Sequence, residues 1–148
     1  VLPSAIRHAE AGDHTTLDRW ARRILVVGLV AAVVVGLVGA GLGPWTVALL
    51  YGAEFRPDAW LSGFAAAGVA AGMAGLATTQ ILVGRGATGR LAVVWLAAIG
   101  AAAATIVVAS AAQPTTRVAL AFWIGELVAL VGLSVAALLR RDVTRSPA

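Results

Sequence analysis

Apolar positions along the chain fall into four long runs that are separated by short polar segments. The runs lie at about 24–42, 59–83, 91–112 and 118–139. Roughly 20 apolar residues are needed to cross ~30 Å of hydrocarbon as a helix, and each run is close to or above that length. Because the runs lack the alternation of strands and are rich in Ala, Leu and Gly, they favour helices. The pattern therefore predicts an all-α, polytopic membrane protein with four transmembrane helices.

The composition and the flanking segments extend this prediction. Of the 148 residues, 60% are hydrophobic and 12% are charged, whereas charged residues supply about a quarter of a typical soluble domain. We assign residues 1–23 to an amphipathic, charged linker and residues 140–148 to a polar tail. The opening VLPSAIRHAEAGD is typical of the exit from an earlier apolar element. We therefore expect the chain to be the C-terminal piece of a longer protein, and a complete four-span protein is the alternative.

The arginines predict the orientation of the spans. All eleven basic residues are Arg, and nine of them flank one side of the runs. These nine are Arg7, Arg19, Arg22, Arg23, Arg85, Arg90, Arg140, Arg141 and Arg145. The other side holds only Arg56 and Arg117. Since positive charge near span ends is retained in the cytoplasm, we expect both termini and the 84–90 loop to be cytoplasmic, with the spans in the cytoplasmic (inner) membrane.

The net charge of +4 does not require a nucleic-acid partner. The basic residues are spread over three membrane-flanking segments without interleaved aromatic residues, so membrane lipids with anionic headgroups are the simpler partner. The sequence contains no cysteine, which excludes disulfides and thiolate metal sites. His8 and His14 share no helical face with a third ligand, so we expect no metal and no cofactor. Paired carboxylates, a nucleophile elbow and a phosphate-binding loop are all missing from the sequence, and we do not expect an enzyme.

Small residues recur at a spacing suited to helix packing. The first run carries such residues at every fourth position, namely Gly28, Ala32, Gly36 and Ala40. The second run carries Gly68 and Gly72. Such stripes let helix backbones approach closely in a membrane. We interpret them as tight packing faces, and helices that slide against one another are the alternative.

The turn between the first two runs, GPWTVALLYGAEFRPDAW, has a distinctive order of residues. We expect Gly43–Pro44 to end the first helix and Trp45–Tyr51 to form a separate apolar segment at the outer interface. Gly52 permits a sharp turn, and Pro57 and Asp58 are suited to start the second span.

In this turn the chain resembles the polysaccharide and oligosaccharide-lipid flippases of the multidrug/oligosaccharidyl-lipid/polysaccharide exporter superfamily. The stretches VLPSAIRHAEAGDHTTLDRWARRIL and TTQILVGRGATGRLAVVW are similar to the cytoplasmic linker and to a helix end of that family, in the same order and with the same sidedness. The resemblance implies twelve or fourteen helices in two lobes around a cavity, of which this chain would be the last four. It also implies a lipid-linked sugar as substrate, alternating access as mechanism, and the missing N-terminal helices as partners.

Glu126 and a polar group in the second run are the candidate substrate or coupling residues. An ionised carboxylate deep in a span costs at least ~2.5 kcal/mol on insertion scales, so Glu126 is expected to face protein, water or a cation. It is either a cavity-lining acid that titrates during transport or contacts a cation, or a protonated or hydrogen-bonded acid that locks span four to Thr, Ser or a missing helix. The resemblance implies that Gln80 and Thr79, beside Thr78, lie near the cytoplasmic mouth, where they could meet a substrate headgroup. Hydrogen bonds between helices are the alternative role for these residues.

Five arginines are candidates for contact with the pyrophosphate of a lipid-linked sugar or with lipid headgroups. They are Arg19, Arg22, Arg23, Arg85 and Arg90. The positive-inside effect alone also explains them. Two further functions stay open, a small four-helix accessory or anchor subunit of a membrane complex, and a small dimeric channel or pump.

Overall fold

Four helices form the fold in the computed structural model, which describes residues 14–139. In chain order they are α1 (His14–Tyr51), α2 (Ala59–Gly84), α3 (Thr88–Val108) and α4 (Pro114–Leu138), with a 3-10 turn at Ala53–Phe55. This part of the chain contains no strand. All four helices are long and apolar enough to cross a membrane, which confirms the predicted all-α, four-helix architecture. Residues 1–13 of the predicted linker and the 140–148 tail lie outside the described residues.

Helix α1 does not end at Gly43–Pro44, so that prediction was wrong. The helix continues through Pro44 to Tyr51, and the segment Trp45–Tyr51 forms its last two turns. Proline removes one backbone hydrogen bond from a helix, but a break within hydrocarbon would leave several backbone groups unpaired, and each of these costs several kcal/mol. The continuous helix is therefore the less costly arrangement. At its other end α1 includes residues 14–23, which were assigned to the linker.

The turn between α1 and α2 agrees with its sequence. Gly52 has a φ of 106°, in the region that favours glycine. The Asp58 side chain accepts a hydrogen bond of 2.7 Å from the backbone N–H of Leu61 and caps the start of α2. An Asp at this position satisfies one of the N–H groups that a helix start leaves without a partner.

Helices α2 and α4 form the centre of the bundle. Helix α1 packs along α2, α2 packs against α4, and α3 packs on the far side of α4 with little contact to α2. Each of α2 and α4 contains eight buried residues, whereas only Ala98 is buried on α3. The remaining surfaces of α1 and α3 are largely exposed and apolar, as expected of helices that face lipid.

Small residues bring α1 and α2 together. A Cβ at Gly36 would lie 3.0 Å from the Cβ of Ala67, and a Cβ at Gly39 would lie 2.9 Å from the carbonyl oxygen of Ser62. The stripe on the first run is therefore a packing face, as interpreted, and Gly39 belongs to it as well.

Candidate functional site

Glu126 occupies the midpoint of α4. It lies twelve positions after Pro114 and twelve positions before Leu138. At ~1.5 Å per residue, its Cα is about 18 Å from either end of the helix. It is also the only charged residue in the four apolar runs of the sequence. A carboxylate at this depth is as far from both polar surfaces as the helix allows.

The side chain of Glu126 lies against Gly72 of α2. A Cβ at position 72 would lie 2.8 Å from Oε2 of Glu126 and 3.1 Å from its Cδ. The carboxylate therefore occupies space that exists because residue 72 has no side chain. Within residues 14–139, Glu126 forms no hydrogen bond and no ion pair. Its contacts inside the described bundle are van der Waals contacts.

Glu126 also marks a change in burial along α4. Towards the end of the helix, Leu130 and Leu133 are fully buried. Towards its start, Phe122 is 41% exposed and Val118 is 61% exposed. Glu126 itself is half-buried. Of the eight buried residues of α4, Ala119 and Ala121 precede Glu126 and six follow it, so the half of the helix after Glu126 is the more buried one.

The neighbouring surface of α2 is apolar and uncovered. Val69, Met73 and Leu76 are each more than half exposed. Val69 and Leu76 lie three residues before and four residues after Gly72, on the same side of the helix, and Met73 lies next to both of them, four residues after Val69 and three before Leu76. We call these three residues and Phe122 the open face. Glu126 is thus a lone carboxylate beside an apolar surface that the described helices do not cover.

Thr79 and Gln80 do not join Glu126 in one site. The hydroxyl of Thr79 donates to the carbonyl of Gly75 at 3.1 Å, within its own helix, and the hydroxyl of Thr78 bonds in the same way to Ala74. Gln80 is exposed and lies about 12 Å along α2 from the level of Gly72, at ~1.5 Å per residue. The two threonine hydroxyls therefore make no hydrogen bond between helices.

Arg85 connects three elements at the opposite end of the bundle from the Gly52 turn. It follows α2, and its Nη2 lies 2.8 Å from Oδ1 of Asp18 in α1. Its Nη1 donates to the carbonyl of Ala137 in the last turn of α4. The last carbonyls of a helix have no partner within the helix, and its dipole favours a cation there. Arg85 meets both needs.

Arg90, at the start of α3, binds the same end of α4. Its Nη1 donates to the carbonyl of Ala136 at 3.2 Å and to that of Leu139 at 2.6 Å. We call Asp18, Arg85, Arg90 and the last turn of α4 the arginine junction. Both guanidinium groups donate to carbonyls at the end of α4 and therefore connect helices of the bundle.

Arg19, Arg22 and Arg23 differ from the junction arginines in their exposure. All three are exposed on α1. They are therefore the members of the predicted group whose side chains remain available to lipid headgroups or to an anionic substrate at this end of the bundle.

An apolar groove of about 400 Å³ lies between α1, α2 and α4 on the side of the bundle near the Gly52 turn. Stacked rings line one wall, with centroids 5.9 Å apart for Trp60 and Phe64 and 5.4 Å apart for Phe64 and Trp123. The lining is almost wholly apolar, so the groove can hold a hydrocarbon but offers no group for chemistry. Among residues 18–139, whose side chains are described, no three His, Asp or Glu side chains come together to bind a metal ion.

Comparisons of the chain with protein-family models, with curated proteins and with solved structures find no match. The resemblance to flippases consequently stays a prediction from the sequence motifs.

The roles of two residues in these sites were not predicted from the sequence. Gly72 is one of several small residues in the second run, and Asp18 is one of several charged residues before the first run. Their roles depend on contacts with residues 54 and 67 positions away, which no local pattern predicts.

Proposed function

We propose that this chain belongs to a transporter that moves a lipid-linked oligosaccharide or polysaccharide precursor across the cytoplasmic membrane by alternating access. The observation that carries the proposal is the position of Glu126, at the midpoint of α4 and beside the open face. Ionisable residues at this depth are costly and usually mark a transport path, a proton relay or a partner. Of these three roles, the motifs that resemble flippases favour a transport path.

In this proposal the open face is one wall of the transport path, and further helices of the protein form the opposite wall. The sugar headgroup of such a substrate is polar, while its lipid tail stays in hydrocarbon. A wall that combines apolar side chains with one acceptor at mid-depth suits both parts. Glu126 would accept hydrogen bonds from sugar hydroxyls or bind the coupling cation as the path changes its exposure.

The exposed arginines at the end of α1 would provide the first attraction for the substrate. Arg19, Arg22 and Arg23 lie on the side that the arginine count predicts to be cytoplasmic. An anionic pyrophosphate group is drawn to such a cluster by charge. Arg85 and Arg90, which bind the end of α4, would hold the helices at this mouth in place, and Gln80, exposed on α2, could contact the headgroup after it enters.

The experiment replaces Glu126 by Gln in cells that depend on this protein and measures the lipid-linked precursor that remains in the inner leaflet. Glu54→Gln, at an exposed position of the outer turn, is the matched control. We expect precursor to accumulate with Glu126→Gln at normal protein level and not with Glu54→Gln. Normal export with Glu126→Gln over a range of pH would remove Glu126 from the mechanism.

The second candidate is an accessory or anchor subunit of a membrane complex. The same open face favours it, because a subunit must leave a docking surface for its complex. This function predicts that Glu126→Gln releases the chain from the complex without any build-up of lipid-linked precursor. A dimeric channel or pump would instead show self-association of the purified chain.

A further inference from the structure

We infer that the open face and Glu126 bind a transmembrane helix of different sequence that carries a basic residue, Lys, Arg or His, near the middle of the membrane. The inference goes beyond the proposed function, because it concerns what covers this face and holds for a transporter and for a subunit alike. In a transporter the helix would belong to the opposite wall and would contact the open face in the state in which the path is closed.

Charge is the first reason. Glu126 has no ionic or hydrogen-bonding partner within residues 14–139. The nearest basic residue on α4, Arg117, is nine residues away and donates to the carbonyl of Ala112. Arg85 and Arg90 bind carbonyls at the end of the same helix. In its ionised form a carboxylate in hydrocarbon needs a counter-charge, and the described bundle provides none at this depth.

A second copy of the chain does not meet this need. The four apolar runs contain no Lys, Arg or His. A symmetric contact uses the same patch on both copies, so it would bring two Glu126 carboxylates towards each other. Like charges in close contact disfavour each other's ionised form. Lipid acyl chains carry no charge at all. The partner is therefore a helix of another sequence.

The shape of the open face also suits a helix. Val69, Met73 and Leu76 are spaced four and three residues apart on α2, which is the spacing of a stripe that contacts another helix. All three are exposed, and Gly72 beside them adds no side chain. Phe122 of α4 forms the other border. A helix lying along this stripe brings its middle residue to the level of Glu126.

The experiment uses the full chain, labelled at a single cysteine in place of Glu54, in phosphatidylcholine vesicles. The probes are three polyleucine transmembrane peptides with an acceptor dye, which differ in the central residue, Lys, Leu or Glu. Energy transfer then reports binding as a function of peptide mole fraction. We expect the Lys peptide to bind about three- to twentyfold more tightly than the Leu peptide, the range of measured polar contacts between membrane helices.

Two variants locate the binding. Glu126→Leu is expected to reduce binding of the Lys peptide to the level of the Leu peptide. Met73→Trp blocks the open face without changing the charge and is expected to weaken binding as well. Val107→Trp, at an exposed position on α3, is the matched control and is expected to bind like the native chain. Far-ultraviolet circular dichroism reports whether each variant keeps its helices.

Three outcomes would overturn the inference. Equal binding of the Lys and Leu peptides would show that charge does not select the partner. Unchanged binding of the Lys peptide to folded Glu126→Leu would place its contact elsewhere. Energy transfer between copies of the chain that disappears with Glu126→Leu would identify a second copy as the occupant of the face.

Discussion

Asp18 and Arg85 form an ion pair between α1 and the segment that follows α2, with 2.8 Å between Oδ1 and Nη2. The two residues are 67 positions apart in the chain. The same guanidinium group also donates to the carbonyl of Ala137 in α4. One side chain thus holds three helices at one end of the bundle.

Replacement of Arg85 by Gln is expected to lower the free energy of unfolding. The change removes hydrogen bonds of a charged group, each of which contributes about 1.5–3 kcal/mol. We expect a total loss of about 1–3 kcal/mol, because the pair is partly exposed, with 18% and 24% of the two side chains accessible. Unfolding in mixed micelles by titration with dodecyl sulfate measures the difference.

Arg19→Gln is the control for this change, because Arg19 is exposed on α1 and its loss is expected to cost less than ~0.5 kcal/mol. Equal effects of Arg85→Gln and Arg19→Gln would show that the arginine junction does not stabilise the bundle.

Gly39→Ala is expected to loosen the contact between α1 and α2. The new Cβ would lie 2.5 Å from the Cβ of Ala66 and 2.9 Å from the backbone oxygen of Ser62, and backbone atoms move only with their helix. Overpacking of this kind typically costs ~1–3 kcal/mol. The same unfolding titration measures the cost. Gly41→Ala, two residues further along the same helix, is the control, since nothing lies within 4 Å of its Cβ. If the two variants unfold alike, the packing face on α1 is misplaced.

Ser134→Ala is expected to leave the protein at least as stable as before. Ser134 is fully buried in α4, and its hydroxyl has no hydrogen-bond partner within the described residues. An unpaired buried hydroxyl costs about 1–3 kcal/mol, so its removal offsets the small loss of packing. Thr78→Val is the contrast, because it removes a hydroxyl that donates to Ala74, and we expect a loss of ~0.5–1 kcal/mol. A clear loss of stability with Ser134→Ala would indicate that a water or a further segment bonds to this hydroxyl.

The orientation in the membrane can be measured with two single cysteines, since the chain has none of its own. Positions 54 and 88 are both exposed and lie at opposite ends of α2. We expect a membrane-impermeant maleimide to label Glu54→Cys in intact cells and Thr88→Cys only after lysis, because the arginines retain the second position in the cytoplasm. Labelling in the reverse order would invert the topology.

The sequence predicted most of the helical architecture, because a chain that crosses hydrocarbon needs long apolar runs and must pair its own backbone hydrogen-bonding groups. The run at 59–83 became α2 (Ala59–Gly84) with nearly the same bounds, since Asp58 and Arg85 mark both ends with charge. The first helix extends beyond the run at 24–42, because Pro44, which was expected to end it, lies inside the helix. A proline ends a helix where water can satisfy the freed backbone, and here the helix continues to Tyr51.

The candidate site could be predicted only in part. A lone carboxylate in an apolar run identifies Glu126 without any structure. Its neighbour Gly72 depends on how α2 and α4 are rotated against each other, and many glycines and alanines share the pattern of that position. The arginine count likewise predicted a common side for Arg85 and Arg90, but charge alone does not show that they reach the carbonyls of α4.

The peripheral place of α3 has a consequence for biosynthesis. Helix α3 is made before α4, yet α4 is the helix on which it packs. Without α4, Ala98 has no neighbouring helix to bury it. We expect α1 and α2 to associate first, with α3 still exposed to lipid on all sides. A lipid-soluble photoreactive probe should therefore label position 98 in a released chain truncated after residue 112, and label it less in the chain that includes α4 (Pro114–Leu138).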